Sequence, residues 1–464
     1  MKINIGQKEI IHFIGMGGIG MSGLAQIMKI MGFKVQGSDI NLNKNVENCK
    51  KLGIKFFIGQ KRKNVKNATI LVKSSAIKNN NQEVQEAKKK KLPIYERVEM
   101  LANIVSLKKN IIVSGSHGKT TTTSLVSKIL LESNLDPTII NGGVINSIKN
   151  NAKLGKGDWA VLEADESDGS FLKLPINYSI VTNIDKEHLD FYKSLNNLKK
   201  KFSIFIEKTP SFGKSFICID DKNNREILKN IKNVNLSTYG TNKNSNFQIL
   251  NVVQNKDYSK FDLKISILGT KPKNINNIKI PIIGIHNIRN STAAIAVASS
   301  IGISNNIIKK SLKKFQGVQR RFTKVFTFQN IPFFDDYAHH PTEIEEVLKG
   351  VKHAYKNQEI ICAFQPHRIS RVKDLKEEFS YAFKKADSVI LCPIYTAGEK
   401  IKLGFSYLNF AKDIIKNSKV KLFLVNDNIQ LAKFLKKNIS GKKIVIGMGA
   451  GSISNWMKKI PNLM

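Results

Sequence analysis

Ile10-Ile11-His12-Phe13-Ile14-Gly15-Met16-Gly17-Gly18-Ile19-Gly20 is the stretch on which the fold turns. Its first five residues read as a buried strand, the next six satisfy G-x-G-x-x-G, and Met21 to Met31 read as the helix they open. In that setting glycines let the backbone approach a pyrophosphate at the positive end of a helix. Asp39, about 20 residues past the loop and after the strand Lys34 to Gln36, stands where a ribose hydroxyl is accepted. Any diphosphate nucleotide offers the same groups, and a plain strand-to-helix turn is the bland alternative.

The alternation continues outward. Thr69 to Val72 read as a further strand, so the first hundred residues imply parallel βα units. Asn110 to Val113 run into Gly115-Ser116-His117-Gly118-Lys119-Thr120, and Thr121 to Leu131 read as a helix. Val113 holds the place of the first glycine in G-x-x-x-x-G-K-[ST], so this phosphate loop is a shortened one. Its chemistry survives: backbone N–H groups cradle phosphates, Lys119 neutralises their oxygens and the Thr120 hydroxyl can hold Mg²⁺. A chance G-K-T in a Lys-rich chain is disfavoured by the strand, the helix and Thr121-Thr122-Thr123.

Glu163-Ala164-Asp165-Glu166-Ser167-Asp168 ends the strand Trp159 to Leu162, and Thr182-Asn183-Ile184-Asp185 with His188 follows Tyr178 to Val181. Ligands of parallel sheets bind at such strand ends, so an oxygen-rich Mg²⁺ site with one imidazole is expected, against solvated acidic loops. Gly284-Ile285-His286-Asn287-Ile288-Arg289-Asn290 is ambiguous, since Asn reads base edges and also caps helices. Phe261, Leu263, Ile265 and Ile267 alternate as a half-buried antiparallel strand. Lys271 to Asn277 read as a loop, Ser291 to Ile301 as a helix and Phe315 to Phe322 as a linker. The βα pattern returns with Ile331 to Phe334, Glu359 to Phe364, Ser388 to Cys392, Lys421 to Val425 and Lys443 to Ile446. Asp335 to Glu343 and Gln365 to Arg371 follow two of these strands, and Gly447 to Gly451 make a second glycine-rich turn. Arg368 and Arg371, spaced as on one helical face, suit a carboxylate.

The expected architecture is α/β in three domains. Residues 1–108 form a Rossmann-like domain, 109–322 a central mixed α/β domain of phosphate-loop ATPase type, and 323–464 a second Rossmann-like domain.

Composition agrees with a globular chain: 464 residues, 41% hydrophobic and 24% charged. No apolar run approaches the roughly 18 residues that span a bilayer, and the four cysteines form no C-x-x-C pair, so a cytoplasmic protein is expected. The net charge of +39 comes from 67 Lys and only 8 Arg, scattered without interleaved aromatics, which reads as solvated surface and not as a nucleic-acid groove. Scarcity makes the arginines informative. Six of the eight, Arg97, Arg289, Arg320, Arg321, Arg368 and Arg371, lie in or beside these segments.

Taken in order, Gly15 to Gly23 with Gly37-Ser38-Asp39, Gly115 to Thr123, Glu163 to Asp168, Thr182 to Asp190, Gly284 to Asn290, Gly317 to Phe322, Asp335 to Glu343, Gln365 to Arg371 and Tyr395 to Glu399 resemble the Mur ligase family, whose members form amide bonds with ATP in peptidoglycan synthesis. The resemblance covers the whole chain and lies nearest to the members that add L-alanine to UDP-N-acetylmuramate. It implies that Gly15, Gly17, Gly18, Gly20, Ser38 and Asp39 hold the UDP of that nucleotide. It implies that Gly115, His117, Gly118, Lys119, Thr120 and Thr121 hold ATP phosphates, with His286, Asn287 and Asn290 at the adenine. Mg²⁺ would fall to Thr120, Glu163 and His188, Arg321 would lie near the transferred phosphate, and Tyr337, His339, Arg368 and Arg371 would receive alanine. A peptide-adding murein-recycling ligase, a nicotinamide dehydrogenase and a nucleic-acid-binding NTPase stand as alternatives. No nucleic-acid partner and no membrane insertion are expected.

Overall fold

Strand β1 (Ile10–Ile14) lies at the middle of a parallel sheet formed with β2 (Lys34–Asp39), β3 (Lys55–Ile58), β4 (Ile70–Lys73) and β5 (Ile94–Glu96), in the order β3-β2-β1-β4-β5. The chain is described by a computed structural model covering residues 6, 8–232, 234–399 and 406–464. Ile11, Phe13 and Ile14 are fully buried, as a strand covered by helices on both faces requires. The strand order reverses at β1, between β2 and β4, so the loop after β1 opens at the switch point where such sheets bind ligands.

The second sheet contains β6 (Lys109–Ser114), β7 (Thr138–Ile145), β8 (Asn150–Lys153), β9 (Trp159–Glu163), β10 (Tyr178–Val181), β11 (Lys214–Cys218), β12 (Leu236–Gly240), β13 (Phe247–Gln254), β14 (Ser259–Ile265) and β15 (Lys273–Ile280). Its order is β15-β14-β13-β12-β11-β10-β6-β9-β7-β8. β6 runs parallel between β10 and β9, which brings the phosphate loop and both acidic strand ends to one edge.

The third sheet, β16 (Thr323–Phe328), β17 (Ile331–Asp336), β18 (Glu359–Phe364), β19 (Ser388–Leu391), β20 (Lys421–Leu424) and β21 (Lys443–Met448), has the order β16-β17-β21-β18-β19-β20. Only its edge strand β16 is antiparallel among the pairings described.

Two expectations need correction. Lys271 to Asn277 is not a loop throughout, because β15 begins at Lys273. Ile275, Ile278 and Ile280 are buried, but Asn277 adopts φ 59 and donates its N–H to Asp262, which breaks the alternation a strand normally shows. The helix placed at Ser291 to Ile301 starts earlier, at Ile285, so His286, Asn287 and Asn290 all lie within it.

Residues up to Leu250 with Asp262–Ile278 and Arg289–Gln316 form one compact unit, and Asn251–Phe261, Lys279–Ile288 and Gly317–Met464 form another. Cys49, Cys218, Cys362 and Cys392 are free thiols, all buried. No helix among the described residues is long and apolar enough to cross a membrane.

Candidate active site

The loop after β1 is tied to the end of β2. Ser38 O accepts the N–H of Gly15 at 2.9 Å and of Met16 at 3.0 Å, and Asp39 Oδ2 accepts that of Gly17 at 2.8 Å. Gly15 and Gly17 therefore shape the turn with their own amides already engaged. The donors that this turn offers are the first-turn amides of the helix Ile19–Ile30, for which Gly18 is the N-cap. Ser38 is fully buried and its hydroxyl donates to Glu83 at 2.6 Å, so its side chain lies behind the loop. Arg97 was not assigned to this site from sequence. Its Nη1 lies 3.1 Å from where a Cβ on Gly20 would stand, beside the same helix start.

The phosphate loop is shaped by β10. Thr182 Oγ1 donates to His117 O at 2.6 Å, His117 N donates to Asn183 Oδ1 at 2.9 Å, and a Cβ on Gly115 would stand 2.0 Å from Thr182 Oγ1. Gly118, at φ 84, caps the helix Lys119–Glu132, and Asn290 Oδ1 lies 2.6 Å from its would-be Cβ. That places Asn290 at the loop. Asn287, inside the helix that begins at Ile285, donates its Nδ2 to Ile283 O at 2.7 Å, a tie to the carbonyl before the helix and not an N-cap, whose side chain would accept a backbone N–H.

Lys119 Nζ donates to the carbonyl oxygens of Gly115 and Ser116 at 2.6 and 3.0 Å and lies 2.8 Å from Glu166 Oε2. Burial disfavours its ammonium, but Glu166, Asp165 and Glu187 outweigh that and hold its pKa above the ordinary lysine value. Burial likewise pushes the Glu166 carboxyl up, with Asp165 and Glu187 adding to the shift and Lys119 opposing it.

The residues expected from the sequence to hold a metal fall into two groups. Thr120 Oγ1 donates to Glu163 Oε1 at 3.0 Å, and Glu163 Oε2 accepts the Gly142 N–H at 2.5 Å. His188 Nε2 lies 3.7 Å from both Glu166 Oε1 and Glu187 Oε2, and Asp165, Glu166 and His188 bring their ligand atoms within 4.8 Å of one another. Hydroxyl and carboxylate donors beside a phosphate loop suit a hard divalent cation. Asp165 and Glu166 were read from sequence as part of the acidic cluster but not singled out as ligands.

In the carboxy-terminal unit two guanidinium groups lie close to the Tyr337 ring, with Arg320 Cζ 4.7 Å and Arg321 Cζ 5.3 Å from its centre. Arg321 also faces Glu343 at 3.6 Å. His339 Nδ1 lies 2.9 Å from Tyr337 O and 3.2 Å from Glu343 Oε2. Asp336 accepts the N–H groups of Phe322 and Ala338, and burial pushes its carboxyl up to about 6 against the pull of Arg321.

His367, to which the sequence alone gives no role, lies among Tyr395, His339 and Arg371. Its ring stacks on Tyr395 at 5.6 Å and meets His339 edge-on at 5.7 Å. Arg371 Nη1 lies 3.2 Å from its Nδ1, an acceptor arrangement. Burial, then His339, Arg371 and Arg368, push its pKa down to about 3. The two arginines do not share a helical turn. The helix spans Ile369–Asp374, so Arg371 lies within it while Arg368 is its N-cap at φ 67, exposed and outside the first turn.

Comparison with known proteins accounts for the whole chain. Residues 10–109 match the model of the Mur ligase family catalytic domain, 113–298 that of the Mur ligase middle domain, and 320–451 that of the Mur ligase glutamate ligase domain. A UDP-N-acetylmuramate–L-alanine ligase of Pelagibacter ubique is 68% identical over 464 residues, covering 100% of each chain. The crystal structure of a UDP-N-acetylmuramate–alanine ligase from Thermotoga maritima superimposes with a TM-score of 0.82 at 28% identity, covering 97% of this chain and 98% of that one. A murein peptide ligase from Psychrobacter arcticus shares the fold, with a TM-score of 0.72 at 20% identity over 98% of each chain.

Proposed function

The chain belongs to the Mur ligase family, and from that premise we infer that it joins L-alanine to the lactyl carboxylate of UDP-N-acetylmuramate, converting ATP to ADP and phosphate. The observation that carries this reading is the 68% identity running the full length of both chains to an alanine-adding ligase.

The chemistry follows from the weakness of a carboxylate as an acylating agent. Its oxygen must become a leaving group, so the γ-phosphoryl of ATP passes to the lactyl carboxylate and gives an acyl phosphate. The alanine amine attacks its carbonyl carbon, and the tetrahedral intermediate expels phosphate as the amide forms. On this reading residues 1–108 hold the UDP moiety, 109–322 hold ATP and 323–464 hold alanine.

Lys119 supplies the charge that the phosphate oxygens need, taking them in exchange for Glu166 and the loop carbonyls. Thr120 and Glu163, with His188 beside Asp165 and Glu166, would hold Mg²⁺, which when bound neutralises the charge of the polyphosphate. His286, Asn287 and Asn290 are assigned to the adenine, and Arg321 to the transferred phosphate. Tyr337, His339, Arg368 and Arg371 are assigned to alanine. The neutral imidazole of His367, against which Arg371 lies, extends that set. A cytoplasmic location fits substrates of this kind.

The test is phosphate release by the purified chain, omitting UDP-N-acetylmuramate, ATP, Mg²⁺ and L-alanine in turn. Each omission should abolish turnover. Turnover that needs a tripeptide instead of alanine would transfer the chain to the peptide-adding branch.

A further inference from the structure

Behind the amino-terminal glycine loop lies a polar cluster almost without access to solvent. His12, Ser38 and Glu83 are 0% exposed, Asn64 is 4% exposed and Gln36 6%. A carboxylate so placed needs donors, because a buried unpaired charge is strongly unfavourable. Glu83 receives them from separate segments. Ser38 Oγ donates to Oε2 at 2.6 Å, Asn64 Nδ2 donates to Oε1 at 2.6 Å, and His12 Nε2 lies 3.3 Å from Oε2.

Gln36 sets the imidazole. Its Nε2 donates to Asn64 O at 3.0 Å and faces His12 Nδ1 at 3.2 Å, so Nδ1 accepts and Nε2 carries the hydrogen towards Glu83. His12 lies on β1 and Ser38 on β2, the two strands from which the glycine loop hangs. Ser38 then passes the constraint on. Its carbonyl oxygen takes the N–H groups of Gly15 and Met16, while its neighbour Asp39 takes that of Gly17.

We propose that Glu83 is a positioning residue for the muramate nucleotide: through the Ser38 hydroxyl it fixes the end of β2, and so the glycine loop whose helix amides meet the diphosphate. The proposal rests on the reading that this loop binds UDP-N-acetylmuramate. Glutamine does not reproduce the carboxylate, because its amide nitrogen would face Asn64 Nδ2 in one orientation and the His12 Nε2–H in the other, donor against donor.

The experiment compares the wild-type chain with Glu83→Gln, Ser38→Ala and the double variant. It measures direct titration with UDP alone, and kcat and KM for UDP-N-acetylmuramate, ATP and L-alanine. Either single change should weaken UDP binding and raise KM for the muramate nucleotide about tenfold, with kcat and the other two KM values within about twofold. Because Glu83 acts through Ser38, the double variant should be little worse than Ser38→Ala alone. Unchanged UDP affinity in folded variants overturns the proposal, as does a parallel rise in all three KM values, or full additivity. If Glu83→Gln does not fold, Ser38→Ala alone decides. Wild-type turnover that ignores UDP-N-acetylmuramate would sink the functional reading, while the UDP titration would still judge the positioning role.

Discussion

At the level of single residues, the site was most legible where chemistry demands one residue type. Lys119 and Thr120 follow from the phosphate loop itself, and the structure surrounds Lys119 with Glu166 and two loop carbonyls. Lys119→Ala should lower turnover by at least a hundredfold while leaving UDP affinity within about twofold, since the proposed assignment gives the two nucleotides different loops. A matching loss of UDP affinity, read by calorimetric titration, would contradict the assignment. His367 was not legible, because a lone His in a segment says nothing of the Tyr395, His339 and Arg371 packed around it. Its folded pKa is pushed down to about 3 from 6.5 by burial and neighbouring cations. A depressed pKa means that the unfolded chain binds the proton first, so the stability associated with the neutral ring is present above about pH 6.5 and drains away as pH falls towards 3. The melting temperature of the wild-type chain should therefore decline over that window more steeply than that of His367→Gln, whose side chain is uncharged throughout. Coincident slopes in scanning calorimetry between pH 7.5 and 4 would show that the ring is not held neutral.

Secondary-structure elements were legible where burial imposes one period. β1, β6, β9 and β10 appear as short apolar runs because both faces of a central parallel strand are covered. β7 and β8 were missed, since Thr138–Ile145 contains Asn141, Gly142 and Gly143 and shows neither a steady run nor alternation. That hairpin nonetheless bonds both to the start of the first helix and to the acidic end of β9. Asn151 Nδ2 donates to Ile19 O at 2.8 Å at the start of the first helix, and Gly142 N donates to Glu163. The helix Ile369–Asp374 gives the complementary lesson: spacing alone put Arg368 on its first turn, whereas φ 67 makes it the cap. Helix starts also carry the next prediction. Gly118 opens the helix Lys119–Glu132 at φ 84 with Asn290 Oδ1 2.6 Å from its would-be Cβ. Gly118→Ala would place a side chain in the left-handed region, costing roughly 1 to 2 kcal/mol, and would press on Asn290 as well. KM for ATP should rise at least tenfold while KM for UDP-N-acetylmuramate holds; equal KM values for ATP in both proteins would refute the account.

Over the whole molecule, the three-domain α/β plan followed from the order of strands, glycine loops and helices. The net charge of +39 contributed nothing to it, because lysines spread over a surface specify no fold. The strand Lys273–Ile280 escaped because Asn-rich composition hides three buried isoleucines at irregular spacing. The buried thiols have a use of a different kind. Cys49 lies in the helix Lys44–Lys51 of the first domain, Cys218 at the end of β11 in the second, and Cys362 and Cys392 in and just after β18 and β19 of the third. Burial pushes the thiols of Cys49, Cys218 and Cys392 up to about 12 and that of Cys362 higher still, so the native chain should resist alkylation at neutral pH. Each cysteine becomes reactive only when the packing around it opens, which makes the set a built-in clock with a hand in every domain. Pulse alkylation in rising urea, read by peptide mass spectrometry, should give labelling midpoints that group by domain, with Cys362 and Cys392 moving together. UDP should then delay Cys49, and an ATP analogue Cys218, so that substrate binding can be assigned to a domain without mutating any residue.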